Sequence, residues 1–287
     1  MADAPAIAVT GATGRLGGLI AGRLAATGVP QILVVRDPSR APRLPGAQVR
    51  VAEYGDDAAV RMALKQVDTV VMVSLPAAED RLPPQVTFVD AARRAGVRHI
   101  VYISFVGAGP QATFTHARLH GATERHLRES GLEFTFLRNS LYADLLLDTA
   151  HAGGAIRGPA GRGRVSPVAR ADAADVAAAI ARRPAEHSGA VYDVTGPHAL
   201  TLAEIASQIG LATGQAVAYV DESLPQAYAS RAIYRAPAWQ VEGWVSSYRA
   251  IAAGELDTVS DTVPHIAGHP ALTLAELAAT SRARPGG

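Results

Sequence analysis

Short apolar runs rich in β-branched residues alternate with longer amphipathic stretches through the first half of the chain. The runs "AIAVT" (6–10), "QILVVR" (31–36), "QVRVAEY" (48–54), "TVVMVSL" (69–75), "HIVYIS" (99–104) and "EFTFLR" (133–138) predict strands. Several are apolar along most of their length, as in a parallel sheet covered on both faces. The stretches near 15–27, 57–65, 83–95 and 113–130 predict helices, with Gly28, Gly96 and Gly131 where C-terminal caps belong. Alternation of this length predicts an α/β fold, a doubly wound parallel sheet of the Rossmann type.

After about residue 139 the pattern loosens. The segment "HAGGAIRGPAGRGRVSP" (151–167) reads as a Gly/Arg-rich connection, an Ala-rich helix follows at about 171–183, and "AVYDVTG" (190–196) reads as a returning strand. Thr201 with Glu204, and Thr273 with Glu276, have the spacing of capping boxes and start two more helices. The expected organisation is a nucleotide-binding core over 1–139, rejoined by the strand near 190–196, and a smaller, mostly helical substrate-binding lobe over 140–287. The cleft between such parts is the expected ligand site.

Composition narrows the function by exclusion. With 48% hydrophobic and 18% charged residues the chain has an ordinary globular balance. A formal net charge of +1 gives no pull toward nucleic acid or anionic membranes. The absence of cysteine removes disulfides, thiolate nucleophiles and zinc–thiolate sites. No apolar run approaches the roughly 20 residues of a membrane span, and "MADAPAIAVTGATG" has no basic region of a signal peptide. The expectation is a soluble, cytoplasmic protein, with a homodimer as one assembly it could form.

The chemistry begins at "TGATGRLG" (10–17), where Gly11, Gly14 and Gly17 are spaced GxxGxxG. A glycine first in such a loop allows a tight turn, a second lets the backbone approach phosphates, and a third lets helix and sheet pack closely, with the helix N-terminus favouring negative charge. The loop follows a predicted strand and opens a predicted helix, the context that separates a dinucleotide site from an ordinary turn. About 20 residues further on, NAD-specific folds carry an acid for the ribose 2′-hydroxyl. Arg36 stands there instead, with Arg40 one turn later. An arginine pairs with a 2′-phosphate that an acid would repel, so NADP(H) is the expected cofactor. The alternative is a solvated arginine at a strand end beside Asp37.

These residues, with "VVRDPSRAPRL", "VAEYGDDAAV", "VDTVVMVS", "AGVRHIVYIS", "LRNSLYADLLL" and "GELDTVSDTVPHIAGHPALTLAELA", resemble the NmrA-like branch of the atypical short-chain dehydrogenases/reductases, and within it the type-two NAD(P)H:quinone oxidoreductases. The resemblance covers nearly the whole chain. It implies that Thr10, Gly11, Thr13, Gly14, Arg15, Leu16 and Gly17 contact pyrophosphate and that Arg36 meets the 2′-phosphate. It further implies that Tyr54 lies near the adenine, and Ser74 and Leu75 near the ribose and nicotinamide. Position agrees, since ligands of open α/β sheets sit outside the carboxyl ends of the strands.

Typical members of the superfamily use a serine after the fifth strand and a Tyr-x-x-x-Lys on the next helix. Ser104 matches the serine, but the helix reads "THARLHGATERHL", so His116 and His120 take the tyrosine and lysine places. Reduction of a ketone leaves an alkoxide, an anion about as basic as hydroxide by analogy with water. Reduction of a quinone leaves a phenolate-like anion of about pKa 10, for which a neutral hydrogen-bond donor or a water suffices. The histidine pair therefore suits a flat, conjugated small-molecule acceptor. As alternatives the pair is a packing feature, or two metal ligands at i and i+4; no HExxH glutamate or third ligand accompanies it, and no metal is expected.

Asn139 and Tyr142 follow the sixth strand and are expected on the cleft floor, as a hydrogen-bond donor and a stacking or donating ring; Asn139 as a helix cap is the alternative. Arg157, Arg162 and Arg164 read as a solvated loop or a gate, and Trp239 and Trp244 as packing in the lobe. The function that results is NADPH-dependent reduction of a quinone-like acceptor. A non-catalytic NADP(H)-binding redox sensor, and a biosynthetic tailoring reductase or isomerase, are the alternatives.

Overall fold

The computed structural model describes residues 7–282. Ala6 of the first expected strand, and residues 1–6 and 283–287 of the two expected domains, lie outside these. In chain order the elements are β1 (Ile7–Thr10), α1 (Arg15–Ala26), β2 (Gln31–Val35), β3 (Ala47–Val51), α2 (Asp57–Ala63), β4 (Thr69–Val73), α3 (Leu82–Arg94), β5 (His99–Phe105), α4 (Thr115–Glu129) and β6 (Glu133–Asn139). There follow α5 (Ala143–Gly153), β7 (Ala155–Gly158), β8 (Arg164–Val165), α6 (Arg170–Arg182), β9 (Val191–Val194), β10 (Leu200–Thr201), α7 (Leu202–Thr213), β11 (Ala218–Asp221), α8 (Leu224–Arg231), α9 (Ala238–Ala252) and α10 (Leu274–Arg282).

A seven-stranded sheet runs in the order β3-β2-β1-β4-β5-β6-β9. Pairing is parallel from β3 through β5, with Ile7 opposite Gln31 on one side and Thr69 on the other. The chain moves outward through β2 and β3 and returns to the other side of β1, so the order reverses between β1 and β4. That reversal leaves a crevice at the carboxyl ends of the two strands. The central strands are buried along almost their whole length, which their apolar runs require. Edge strand β3 is only part-buried.

The chain divides into two compact units. One is built from residues up to Ser104, Leu119–Arg138 and Ala173–Tyr192; the other from Phe105–Arg118, Asn139–Asp172 and the residues from Asp193 on. Each has its own apolar core. Phe88, Tyr102, Leu127 and Phe136 centre the first, and Leu146, Ile156, Val165, Ile205 and Ile251 centre the second. The second unit is largely helical, with two-stranded sheets formed by β7 with β11 and β8 with β10.

The expected elements form, with corrected ends. The run 48–54 leaves the sheet at Val51, the run 31–36 at Val35 and the run 69–75 at Val73, so Tyr54, Arg36, Ser74 and Leu75 all lie just beyond strand ends. Gly28, Gly96 and Gly131 each follow a helix in the left-handed conformation. Thr201 and Thr273 exchange hydrogen bonds with Glu204 and Glu276 as capping boxes. The segment 151–167 is not merely a connection, because β7 and β8 form within it. No helix among the described residues is long and apolar enough to cross a membrane.

Candidate functional site

Thr10 closes β1, and Gly11 turns the chain at φ +64°, a conformation L side chains rarely adopt. The Gly14 N–H bonds the Gly11 carbonyl at 2.9 Å, and Gly14 becomes the N-cap of α1 with no side chain capping it. A Cβ on Gly17 would stand 2.2 Å from the Gly11 carbonyl oxygen, so only glycine lets the helix start beneath the turn. Leu16 anchors that turn in the core while Arg15 is exposed and Thr13 half-buried. The first N–H groups of an α-helix have no acceptor within the helix. Here no side chain takes the cap position either, which is the cradle a phosphate requires.

Arg36 follows β2 directly, is exposed, and makes no ion pair among the described residues. Its neighbour Asp37 is turned away. The Asp37 Oδ1 accepts from the Ser39 hydroxyl at 2.6 Å and the Ser39 N–H at 2.9 Å. Those two bonds are the main causes holding its carboxyl below the usual range. Asp37 thus spends its hydrogen bonds on Ser39 and makes none to Arg36.

At the crevice, Thr10, Tyr54 and Val73 form a closed ring. The Val73 N–H donates to Thr10 Oγ1 at 2.9 Å, the Tyr54 hydroxyl donates to the Val73 carbonyl at 2.6 Å, and Thr10 and Tyr54 oxygens lie 2.6 Å apart. With the tyrosine proton on the carbonyl, Thr10 is the donor of that last bond. Tyr54 is 7% exposed and stacks on Phe88 at 4.3 Å. Its hydroxyl, raised in pKa chiefly by burial, thus bonds the strand ends.

Leu75, half-buried after β4, is gripped through its main chain. Its N–H donates to Gln85 Oε1 and its carbonyl accepts from Arg81 Nη1, each at 3.2 Å. Gln85 is itself tied to Thr123 of α4 at 2.9 Å, and both Arg81 and Gln85 are buried. Ser74 beside Leu75 is also half-buried.

Tyr102 and Ser104, two apart on β5 and so on one face, each bond α4. The Tyr102 hydroxyl lies 3.0 Å from His120 Nδ1, and Ser104 donates to Glu124 Oε1 at 2.6 Å. Glu124 is wholly buried and accepts from Nε and Nη2 of Arg138, at 2.9 and 2.7 Å. Burial pushes the Tyr102 phenol up to about 12, against the smaller opposing effect of Arg81. Sequence reasoning singled out Ser104 and His120 but neither of their partners; the i, i+4 spacing of His120 and Glu124 is the signal that would have found Glu124.

The remaining candidates lie in the second unit. The Asn139 Nδ2 donates to the Tyr142 hydroxyl at 3.0 Å, and its Oδ1 is buried without a hydrogen-bond partner among the described residues. Asn139 caps no helix: Tyr142 is the N-cap of α5, and burial raises its phenol. The Arg170 guanidinium sits 4.9 Å above the Tyr142 ring. The His116 ring packs on Phe114 and over Gly243, where a Cβ would come within 2.8 Å of Nε2. The two histidines of "HARLH" thus serve separate partners. Of the arginines read as one loop, Arg164 pairs with Glu204 at 3.1 Å, and Arg157 lies in β7.

Comparison with known proteins gives the following. The family described as NAD(P)H-binding matches residues 11–184. Quinone oxidoreductase 2 of Escherichia coli (strain K12) is 34% identical, over 94% of this chain and 96% of its own. Its structure with NADPH superposes with a TM-score of 0.89, covering 96% of this chain and 99% of that one at 33% identity. An NAD(P)H azoreductase of Xenophilus azovorans is 32% identical over 95% of this chain and 96% of its own. A negative transcriptional regulator, NmrA, solved with NADP, shares the fold alone, at 17% identity and a TM-score of 0.76 over 96% of this chain and 94% of its own.

Proposed function

The chain belongs to the NAD(P)H-binding family, and on that premise we propose that it is a reductase that transfers hydride from NADPH to a flat, conjugated acceptor of the quinone or azo kind. The observation that carries the acceptor class is the α4–β5 contact. His120 stands where a ketone reductase of this superfamily has its lysine, bonded to Tyr102, and Ser104 is bonded to Glu124. Neither tyrosine nor lysine occupies the donor positions on α4. A quinone, whose reduced anion is a weakly basic phenolate, needs no stronger acid than a neutral donor or water.

The residues present fit NADPH. The uncapped start of α1 suits the pyrophosphate, and Arg36, with its charge unmatched by Asp37, suits the 2′-phosphate. The bound cofactor supplies a hydride. Arg81 and Gln85 fix the Leu75 main chain at the carboxyl end of β4, the side of the sheet where a dinucleotide lies. His120 offers its imidazole as hydrogen-bond donor to the ribose or to the acceptor oxygen. The anion formed on the acceptor takes its proton from water.

The test is loss of NADPH absorbance with a panel of quinones and azo dyes, with simple aliphatic ketones alongside. Turnover of the first group and little of the second is expected. Tight NADPH binding with no oxidation of any acceptor would replace the reductase with a redox sensor.

A further inference from the structure

Within the second unit, α5, β7, the end of α8 with the turn after it, and α9 line a half-open cavity of about 760 Å³. None of the residues assigned above to cofactor or chemistry lines it. Its volume falls in the range of roughly 300–1,000 Å³ that small organic ligands occupy.

Aromatic rings form the walls. Tyr234 and Trp244 meet edge to face with centroids 5.6 Å apart. Tyr248 lies so close to Gly158 that a Cβ there would be 2.3 Å from the ring, and the Arg231 guanidinium sits 5.3 Å from its centroid. At the rim Ile233 is 77% and Tyr234 65% exposed, more apolar surface than this turn needs to fold. The turn is also strained: Arg235 holds φ +49°, in the left-handed region. Strain of this kind in a non-glycine residue collects at ligand clamps.

Charge indicates what the cavity accepts. Two arginines line it. Arg231 is buried and fully engaged, bonding Glu222 at 2.9 Å, the Ala227 carbonyl at 2.8 Å and the Arg157 carbonyl at 2.9 Å. Arg157 is exposed, its main chain is pinned by Arg231, and its guanidinium has no ion pair among the described residues. Asp148, the one carboxylate of the lining, has an interaction of its own. We propose that this cavity binds a planar aromatic molecule carrying an acidic group, with its ring against Tyr234 and Trp244 and its acid paired with Arg157.

The experiment titrates the full chain, without NADPH, with anthraquinone-2-sulfonate and with the uncharged 2-(hydroxymethyl)anthraquinone. Heat is followed by calorimetry, and emission in a Trp239→Phe variant, in which Trp244 is the remaining tryptophan. Saturable binding with quenched Trp244 emission is expected. Arg157→Gln should weaken the sulfonate tenfold or more and the neutral probe little, as removal of one charge-assisted pair requires. Its exposed side chain makes the variant's thermal midpoint a control on folding. Absence of saturation, or equal sulfonate affinity in Arg157→Gln, overturns the proposal. Adding NADPH then separates two sources of the same chemistry, since oxidation of NADPH by the sulfonate makes the ligand an acceptor and its lack makes it a separate effector. A chain that binds the sulfonate yet oxidises NADPH with none of the quinones or azo dyes of the panel would refute the proposed reduction and leave this site standing.

Discussion

The Tyr102 hydroxyl stands 3.0 Å from His120 Nδ1, both side chains lying inside the first unit. With the phenol pushed up to about 12 by burial, the tyrosine is neutral throughout the working range of an enzyme. The contact occupies Nδ1 of the imidazole. His120→Ala should lower kcat about a hundredfold or more, the effect of losing one oriented donor of roughly 2.7–4 kcal/mol, with NADPH affinity nearly unchanged. His116→Ala should matter less. Steady-state kinetics with one quinone check this, and wild-type rates in both variants would reduce the pair to packing.

Arg36 should decide between the cofactors. NADPH is expected to bind more tightly than NADH by about 1–3 kcal/mol, the scale of a charged hydrogen bond. Arg36→Asp should reverse the order. Fluorescence titration with both nucleotides is the measurement, and equal affinities unchanged by the substitution would dismiss the assignment.

The Ser104–Glu124–Arg138 group predicts a stability order. Ser104→Ala removes one bond to a carboxylate that keeps both of its Arg138 contacts, at about 1–2 kcal/mol. Glu124→Ala leaves Arg138 and Ser104 without their acceptor and should cost about 3 kcal/mol or more. Urea unfolding gives both values; the reverse order would mean that Glu124 is not the hub of the group.

His99 predicts a pH dependence. It is buried, bonds Thr135 at 2.8 Å, and is lowered to about 4, first by burial and then by His187. Thr135 gives its own proton to the His187 carbonyl, so His99 donates through Nε2. Between about 6.5 and 4 the unfolded chain carries a proton here that the folded chain does not. Stability from this residue is therefore full above that window and falls as pH falls through it. His99→Gln should flatten part of the acid limb in thermal melts across pH; an unchanged slope would rule His99 out as its source.

Two glycines of α1 make a matched pair. Gly17→Ala drives a Cβ to within 2.2 Å of the Gly11 oxygen, whereas a Cβ on Gly22 meets nothing within 4 Å. The first substitution should abolish NADPH binding or folding. The second should stabilise the chain by about 0.5–1 kcal/mol through helix propensity. Thermal melts with and without NADPH distinguish the two.

The glycine loop and central strands were readable because their constraints are local and periodic. The end of β3 was not: Ala52 and Tyr54 extend the apolar content past Val51, out of phase with Val49 and Val51, and Tyr54 is buried by its bonds to Thr10 and Val73, not by the sheet. Strands β7 and β8 are short and set among glycines, so they read as turns. Arg81, Gln85, Tyr102 and Glu124 escaped notice for another reason. A polar residue inside an apolar segment reveals its partner only once the fold has brought the two together. Arg36 needed no such partner, which is why its position alone marked it.

The ring of Thr10, Tyr54 and Val73 has a consequence for how this sequence can drift. Its short bonds all meet at the Val73 main chain, the Tyr54 hydroxyl and Thr10 Oγ1, and the Val73 main chain cannot be substituted away. Tyr54→Phe takes the hydroxyl donor from the Val73 carbonyl and leaves Thr10 only its longer bond to the Val71 carbonyl at 3.4 Å, while Thr10→Val takes the acceptor from the Val73 N–H and leaves Tyr54 short of a donor. Neither step alone is neutral, so positions 10 and 54 should change together or stay fixed. Sequences descended from this one would then carry a statistical tie between two residues 44 apart, and that tie would mark the mouth of the nucleotide crevice without any ligand in view.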